Sequence, residues 1–170
     1  MRPDRLRGRH LICHPGTHSK WARVEDGRIT AFATAMTGEL FEVLSRHSIV
    51  GRGEIADDAQ EFAAGLAAGA SGEPLSAALF TTRARVVSGQ AEAARAPSFL
   101  SGVLIGAELL GLPPLVDARR DETVHLIGSP ALRRLYAPAL ERLGWRCEQE
   151  DGEAAALAGL RLLVQEGAFA

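Results

Sequence analysis

The pair Asp26-Gly27, set between two β-prone runs, constrains this chain more than any other feature. A two-residue β-turn needs residues that tolerate positive φ, and Asp-Gly is among the pairs that close it most readily. Lys20–Val24, which alternates around Trp21, Ala22 and Val24, and Ile29–Ala35 are therefore expected to be strands joined by Glu25-Asp26-Gly27-Arg28. His10–His14 is apolar at its centre and reads as a strand ahead of them. The segment Pro15-Gly16-Thr17-His18-Ser19 between it and the next strand is too small and polar for anything but a turn. The chain thus opens as an antiparallel meander.

Helical spacing follows. Thr37 stands as the N-cap of a helix over Gly38–His47 with Leu40, Phe41 and Leu44 on one face, ended by Gly51-Arg52-Gly53. Asp57 or Asp58 caps a second helix with Phe62 and Leu66 inward, and its many alanines suit packing through small residues. Pro74 opens a third helix carrying Leu75, Leu79, Val86 and Val87. Pro97 opens a fourth over Phe99–Leu110, broken by Gly102 and Gly106 and stopped by Pro113-Pro114. The last third reads as strand Thr123–Ile127, the turn Gly128-Ser129, helix Pro130–Leu143, strand Trp145–Glu148, and a helix capped by Asp151 with Leu157, Leu160, Leu163 and Val164 on one face. Strand–helix–strand–helix at this spacing implies parallel strands with right-handed crossovers. The expected fold is α/β: a mixed five-stranded sheet, three strands antiparallel and two parallel, with a helical insert at about 55–110. Without the insert the order is βββαβαβα, which resembles the ribonuclease-H-like domain of actin-like ATPases and sugar kinases.

At 170 residues the chain is long enough for one domain or two small ones, and for a real core. A net charge of −2 argues against nucleic acid or a membrane surface as partner. No run approaches the ~20 apolar residues of a membrane span, and no signal peptide is expected at the start. Two cysteines, Cys13 and Cys147, rule out a disulfide scaffold and suit a reducing, cytoplasmic compartment. Residues 1–9 form a separate basic segment with Arg2, Arg5, Arg7 and Arg9, and residues 10–170 form the domain. Of the 19 basic residues, Lys20 is the single lysine, and there is no asparagine. In a composition that favours arginine this strongly, the surviving lysine draws attention to its turn.

That turn, Pro15-Gly16-Thr17-His18-Ser19-Lys20-Trp21, is the strongest candidate for chemistry. A phosphate needs several N–H donors converging without side chains in the way, and glycine lets the backbone approach. Thr17 and Ser19 add hydroxyls and Lys20 adds a compact charge. The turn is not a Walker loop, and an ordinary polar hairpin has the same composition. His10, Cys13, His14 and His18 have zinc-like spacing, but neighbours on a strand such as Cys13 and His14 point to opposite faces. His18 beside Ser19 lacks the geometry of a nucleophile and its base.

The string Pro15–Trp21 (PGTHSKW), with Gly27-Arg28-Ile29, Phe32 and Met36-Thr37-Gly38-Glu39-Leu40-Phe41 downstream, resembles the 2-dehydro-3-deoxygalactonokinase family. The likeness continues through His47-Ser48-Ile49, Phe80, Arg83-Ala84-Arg85, Ser101-Gly102, Leu104–Glu108, Leu126-Ile127-Gly128, Tyr136 and Ala139-Leu140, so that it covers Leu11 to about Leu163. The resemblance implies phosphorylation of 2-dehydro-3-deoxy-D-galactonate by ATP with Mg²⁺, in galactonate catabolism. It implies that Gly16, Thr17, Ser19 and Lys20 hold the β- and γ-phosphates. Gly128 and Ser129 would face the nucleoside, with Leu132 and Tyr136 along the following helix, unless they form a plain βα turn. Thr37, Glu39 and Arg83, with Arg85 beside it, are the residues it suggests for the sugar acid.

The family pattern also departs from this sequence. Its members carry an N-terminal lobe opening with an aspartate-glycine-threonine phosphate loop, and an acidic segment before the first strand where this chain has Met1–Arg9. His14 stands where an apolar residue is expected. The resemblance is thus to a C-terminal lobe, with the catalytic residues expected in the other lobe. A chain of this kind is expected to be inactive alone. It would bind nucleotide weakly, and would meet a separately encoded lobe or a second copy through an exposed apolar surface. The alternative is an inactive remnant that at most binds nucleotide or a partner.

Overall fold

A computed structural model of the chain describes residues 7–51 and 58–165. Its elements are β1 (Arg9–His14), β2 (Ser19–Glu25), β3 (Arg28–Ala35), α1 (Thr37–His47), α2 (Ala59–Gly69), α3 (Leu75–Val87), α4 (Ala96–Gly111), β4 (Thr123–Gly128), α5 (Pro130–Arg142), β5 (Arg146–Asp151) and α6 (Gly152–Gln165). They fall into two units, Met1–Thr34 with Pro113–Ala170, and Ala35–Leu112.

The first unit is built on a five-stranded sheet of order β3-β2-β1-β4-β5. Asp26 and Gly27 both have positive φ, as the turn between β2 and β3 requires. β1 runs antiparallel to β2, with Cys13 opposite Trp21, and parallel to β4, which is itself parallel to β5. The expected α/β class and mixed sheet are therefore present. One face carries Leu11, Cys13, Trp21, Val124 and Leu126, all fully buried. β5 extends further than its apolar residues suggest, pairing with β4 as far as Gly128 opposite Asp151.

On the same face as Trp21, two residues on, Arg23 is buried at 2% exposure. A buried guanidinium needs several acceptors, and the Pro113–Glu122 connection supplies them. Arg23 donates to the carbonyls of Val116 and Asp117 and to both carboxylate oxygens of Glu122. Burial would raise the Glu122 pKa, but the Arg23 hydrogen bond, the Arg119 amide and the charges of Arg23 and Arg9 outweigh it and hold the carboxyl below its ordinary range. Pro113-Pro114, expected only to stop the preceding helix, thus opens the segment that holds Arg23.

The second unit is organised around α4, whose Phe99, Leu100, Val103 and Leu104 are buried. Gly102 and Gly106 do not break this helix. They and Gly65 and Gly69 of α2 form a close crossing, where a Cβ on any of the four would fall inside 3.0 Å of the facing backbone. The helical run Ala93–Val116 is long and apolar enough by composition to cross a membrane, contrary to the expectation that no such run exists, and most of it is buried in protein.

Asp58 caps α2, accepting from the Gln60 and Glu61 amides, while Asp57 and Arg52-Gly53 lie outside the described residues. α3 turns Ala78 and Thr82 inward, and Leu75 and Val87 at its ends are exposed, because the contact with Phe99 and Val103 takes a small-residue face. The N-cap of α1 is Met36, not Thr37. Thr37 is the first helical residue, and its hydroxyl donates to the buried Glu108 carboxylate of α4.

Candidate functional site

β1, β4 and β5 run in the same direction, so the turns that leave their carboxyl ends share one edge of the sheet. Ligands of open α/β sheets bind at such edges. The Pro15–Ser19 turn follows β1, Gly128-Ser129 follows β4 and Asp151-Gly152 follows β5. They are in contact. A Cβ on Gly128 would stand 3.4 Å from the Pro15 ring, and one on Gly152 would stand 3.2 Å from the Gly128 Cα. The fold therefore brings together two of the sequence-selected groups, 15–20 and 128–129.

Within the turn, Gly16 carries no positive φ, and a Cβ there would find nothing nearer than the His18 carbonyl at 3.9 Å. The fold does not require glycine at this position, and the space beside its backbone is open. Thr17 and His18 are exposed, and Pro15 is buried. Lys20 is the second residue of β2, not a tip residue. It is partly buried, and its ammonium donates to the His18 carbonyl at 2.7 Å, folding back over the turn. Ser19 points the other way. It is fully buried, and its hydroxyl pairs with the Tyr136 hydroxyl of α5 at 3.2 Å. Tyr136 is thus a core residue rather than a nucleoside-facing one.

Ser129 caps α5, accepting from the Leu132 amide at 3.4 Å, and is exposed at the positive end of that helix. Asp151 caps α6 through the Glu153 and Ala154 amides and pairs with Arg133 at 3.1 Å, so its charge is already balanced. The edge presents backbone N–H groups, a hydroxyl from Thr17, the cap at Ser129 and the Lys20 ammonium. This donor set fits a phosphate chain. Among the described residues no three His, Cys, Asp or Glu side chains are grouped to cage a cation.

Thr37, Glu39 and Arg83 belong to the second unit. Thr37 is buried against Glu108, Glu39 lies in the first turn of α1 and Arg83 lies on α3. Arg85 is engaged structurally. It donates to both Glu61 carboxylate oxygens at 2.9 and 2.8 Å and lies 4.5 Å over the Phe99 ring.

The family model for 2-keto-3-deoxy-galactonokinase matches residues 2–163. The chain belongs to the 2-keto-3-deoxy-galactonokinase family. Relatives of this chain include a protein of Rhizobium meliloti that carries the name 2-dehydro-3-deoxygalactonokinase, 41% identical over 161 residues, which are 90% of this chain and 51% of the relative. The 2-dehydro-3-deoxygalactonokinase of Escherichia coli is 34% identical over 156 residues, 91% of this chain and 53% of its own length. A crystal structure from Sinorhizobium meliloti, described as that of a 2-dehydro-3-deoxygalactonokinase protein, superposes with a TM-score of 0.84 at 36% identity, covering 94% of this chain and 54% of the solved one. The chain spans about half the length of the curated relatives it matches.

Proposed function

We propose that this chain is the phosphate-holding lobe of an ATP-dependent 2-dehydro-3-deoxygalactonokinase. The observation that carries the reading is the open backbone at Gly16, which faces no steric demand from the fold, beside the single lysine of the chain. Gly16, Thr17 and Lys20 would hold the β- and γ-phosphates, and Gly128-Ser129 would border the nucleoside. Phosphoryl transfer depends mostly on positioning and on stabilising charge, which backbone donors and one ammonium supply. Mg²⁺ bound to the triphosphate would neutralise charge on the same oxygens.

The strand order and the βββαβαβα succession support a ribonuclease-H-like lobe spanning residues 10–170, with α2–α4 as its insert and residues 1–9 as a basic lead. Glu39 and Arg83 remain the proposed contacts for the sugar acid, whereas the Thr37 hydroxyl is taken up by Glu108. The group that activates the substrate hydroxyl belongs to the half of the relatives' length that these residues do not represent. The face of α6 bearing Leu157, Leu160, Leu163 and Val164, each 43–68% exposed, would meet that half. The compartment proposed is the cytoplasm.

The test is a calorimetric titration of MgATP into the chain, with a coupled assay for turnover of 2-dehydro-3-deoxygalactonate. The reading expects weak binding that is lost in Lys20→Ala, and no turnover by the chain alone. Unchanged binding in Lys20→Ala would remove the turn's assignment, and turnover by the chain alone would show that the catalytic group lies within it.

A further inference from the structure

We infer that Tyr136 is a positioning residue for triphosphate binding, acting through Ser19 to hold the Pro15–Lys20 turn against α5. This rests on the reading of Gly16–Lys20 as the phosphate turn. Ser19 is the residue at which that turn becomes β2. With both residues almost wholly buried, the two hydroxyls satisfy each other away from solvent. The Ser19 hydroxyl is therefore directed into the core rather than at a ligand, which reverses the role its place in the motif suggests.

The bond joins the two parts of the candidate site. Tyr136 sits seven residues beyond Ser129, two helical turns into α5, and Ser129 is the cap of that helix at the ligand edge. At the other side of the turn, Pro15 rests on Gly128. The turn is thus held at both ends, by Pro15 against the β4–α5 connection and by Ser19 against the body of α5. A phosphate chain needs its donors held to about half an ångström, which an unsupported five-residue turn does not provide. Without the Tyr136 hydroxyl, the Ser19 end of the turn loses its support while the β1–β2 ladder, with His14 opposite Lys20, stays in place.

Inorganic triphosphate and MgATP are titrated into the chain and into Tyr136→Phe, Ser19→Ala, the double variant and Lys20→Ala, at a temperature where all are folded. Tyr136→Phe is expected to weaken binding by roughly three- to tenfold, the equilibrium worth of one net hydrogen bond. Ser19→Ala should also weaken binding, and the double variant should lose less than the sum of the two, because the Ser19–Tyr136 bond is lost in all three. A purely structural role would lower the melting temperature and leave the affinity of the folded protein unchanged. Hydrogen exchange at the Thr17–Lys20 amides gives a second readout, free of ligand, and should quicken in Tyr136→Phe. Loss of binding in Lys20→Ala with wild-type affinity in Tyr136→Phe would overturn this inference and leave the phosphate turn standing. Absence of triphosphate binding by the wild type, or its persistence in Lys20→Ala, would overturn the phosphate turn and the inference with it.

Discussion

Replacing Glu122 by glutamine keeps the shape of the side chain and removes the charge that answers Arg23. The Arg23 guanidinium is 2% exposed and makes four hydrogen bonds, two of them to this carboxylate. Removing one partner of a buried pair costs about 3–5 kcal/mol, because the other charge stays buried without compensation. Glu122 keeps some contact with water and is shared with Arg9 at 3.7 Å, so the low end, about 3 kcal/mol, applies. For a chain of this size each kcal/mol moves the melting temperature by about 2–4 °C, which gives a fall of about 6–12 °C. Tryptophan fluorescence is the suitable assay, since Trp21 and Trp145 are the only two tryptophans and both lie in the unit that holds the pair. The pH dependence has a definite sign. The folded pKa of Glu122 is depressed, so its stabilisation is complete at neutral pH and is lost as pH falls below the unfolded value near 4.3 and through the folded one. The gap between wild type and Glu122→Gln should be full at neutral pH and close in acid. A variant melting within about 2 °C of wild type at neutral pH, or a gap that does not close in acid, would refute the assignment.

Gly102→Ala should destabilise the second unit by about 2–3 kcal/mol in helix-monitored circular dichroism, because its Cβ meets the α2 backbone. Helix propensity alone predicts the opposite sign, and Gly159→Ala in α6, where nothing lies within 4 Å, should show that gain of up to about 1 kcal/mol. The Cys147 thiol is pushed up to about 11 by burial and by Glu141 and Glu148. With Cys13 buried and Cys147 half-buried, the native chain should react with a thiol reagent near pH 8 far more slowly than the denatured chain.

Local chemistry was legible where one residue decides the backbone. Asp26-Gly27 fixed a turn, Asp58 and Asp151 capped the helices they precede, and Pro130 opened α5. Pairings across the chain were not legible, because periodicity tells which face a residue occupies and not what stands opposite. Arg23 with Glu122, Thr37 with Glu108 and Ser19 with Tyr136 are separated by 99, 71 and 117 residues. Two of them left a signal. Arg23 falls on the inward side of an alternating strand, and Glu108 interrupts an apolar helix, so each announces a buried charge that needs a partner. Gly102 and Gly106 of α4 fit a broken helix and a close crossing equally by spacing, and the crossing is what forms, against the small-residue face expected of α2. The extent of β5 was underestimated because its last residues, Gln149–Asp151, are polar and carry no apolar alternation. In the candidate site, the grouping of the two turns followed from the parallel strands, whereas the inward direction of Ser19 depended on a tyrosine two-thirds of the chain away.

The most direct test of the account is the substitution Gly16→Ala, read by thermal unfolding and by MgATP titration on the same preparation. Gly16 has an ordinary φ and an open neighbourhood, so the fold accepts the methyl group. The account predicts a melting temperature unchanged within about 2 °C and triphosphate binding weakened at least about tenfold, because the methyl group stands where the phosphate approaches the backbone. Unchanged binding with an unchanged melting temperature would contradict it, by showing that the space at Gly16 is not where the phosphate sits.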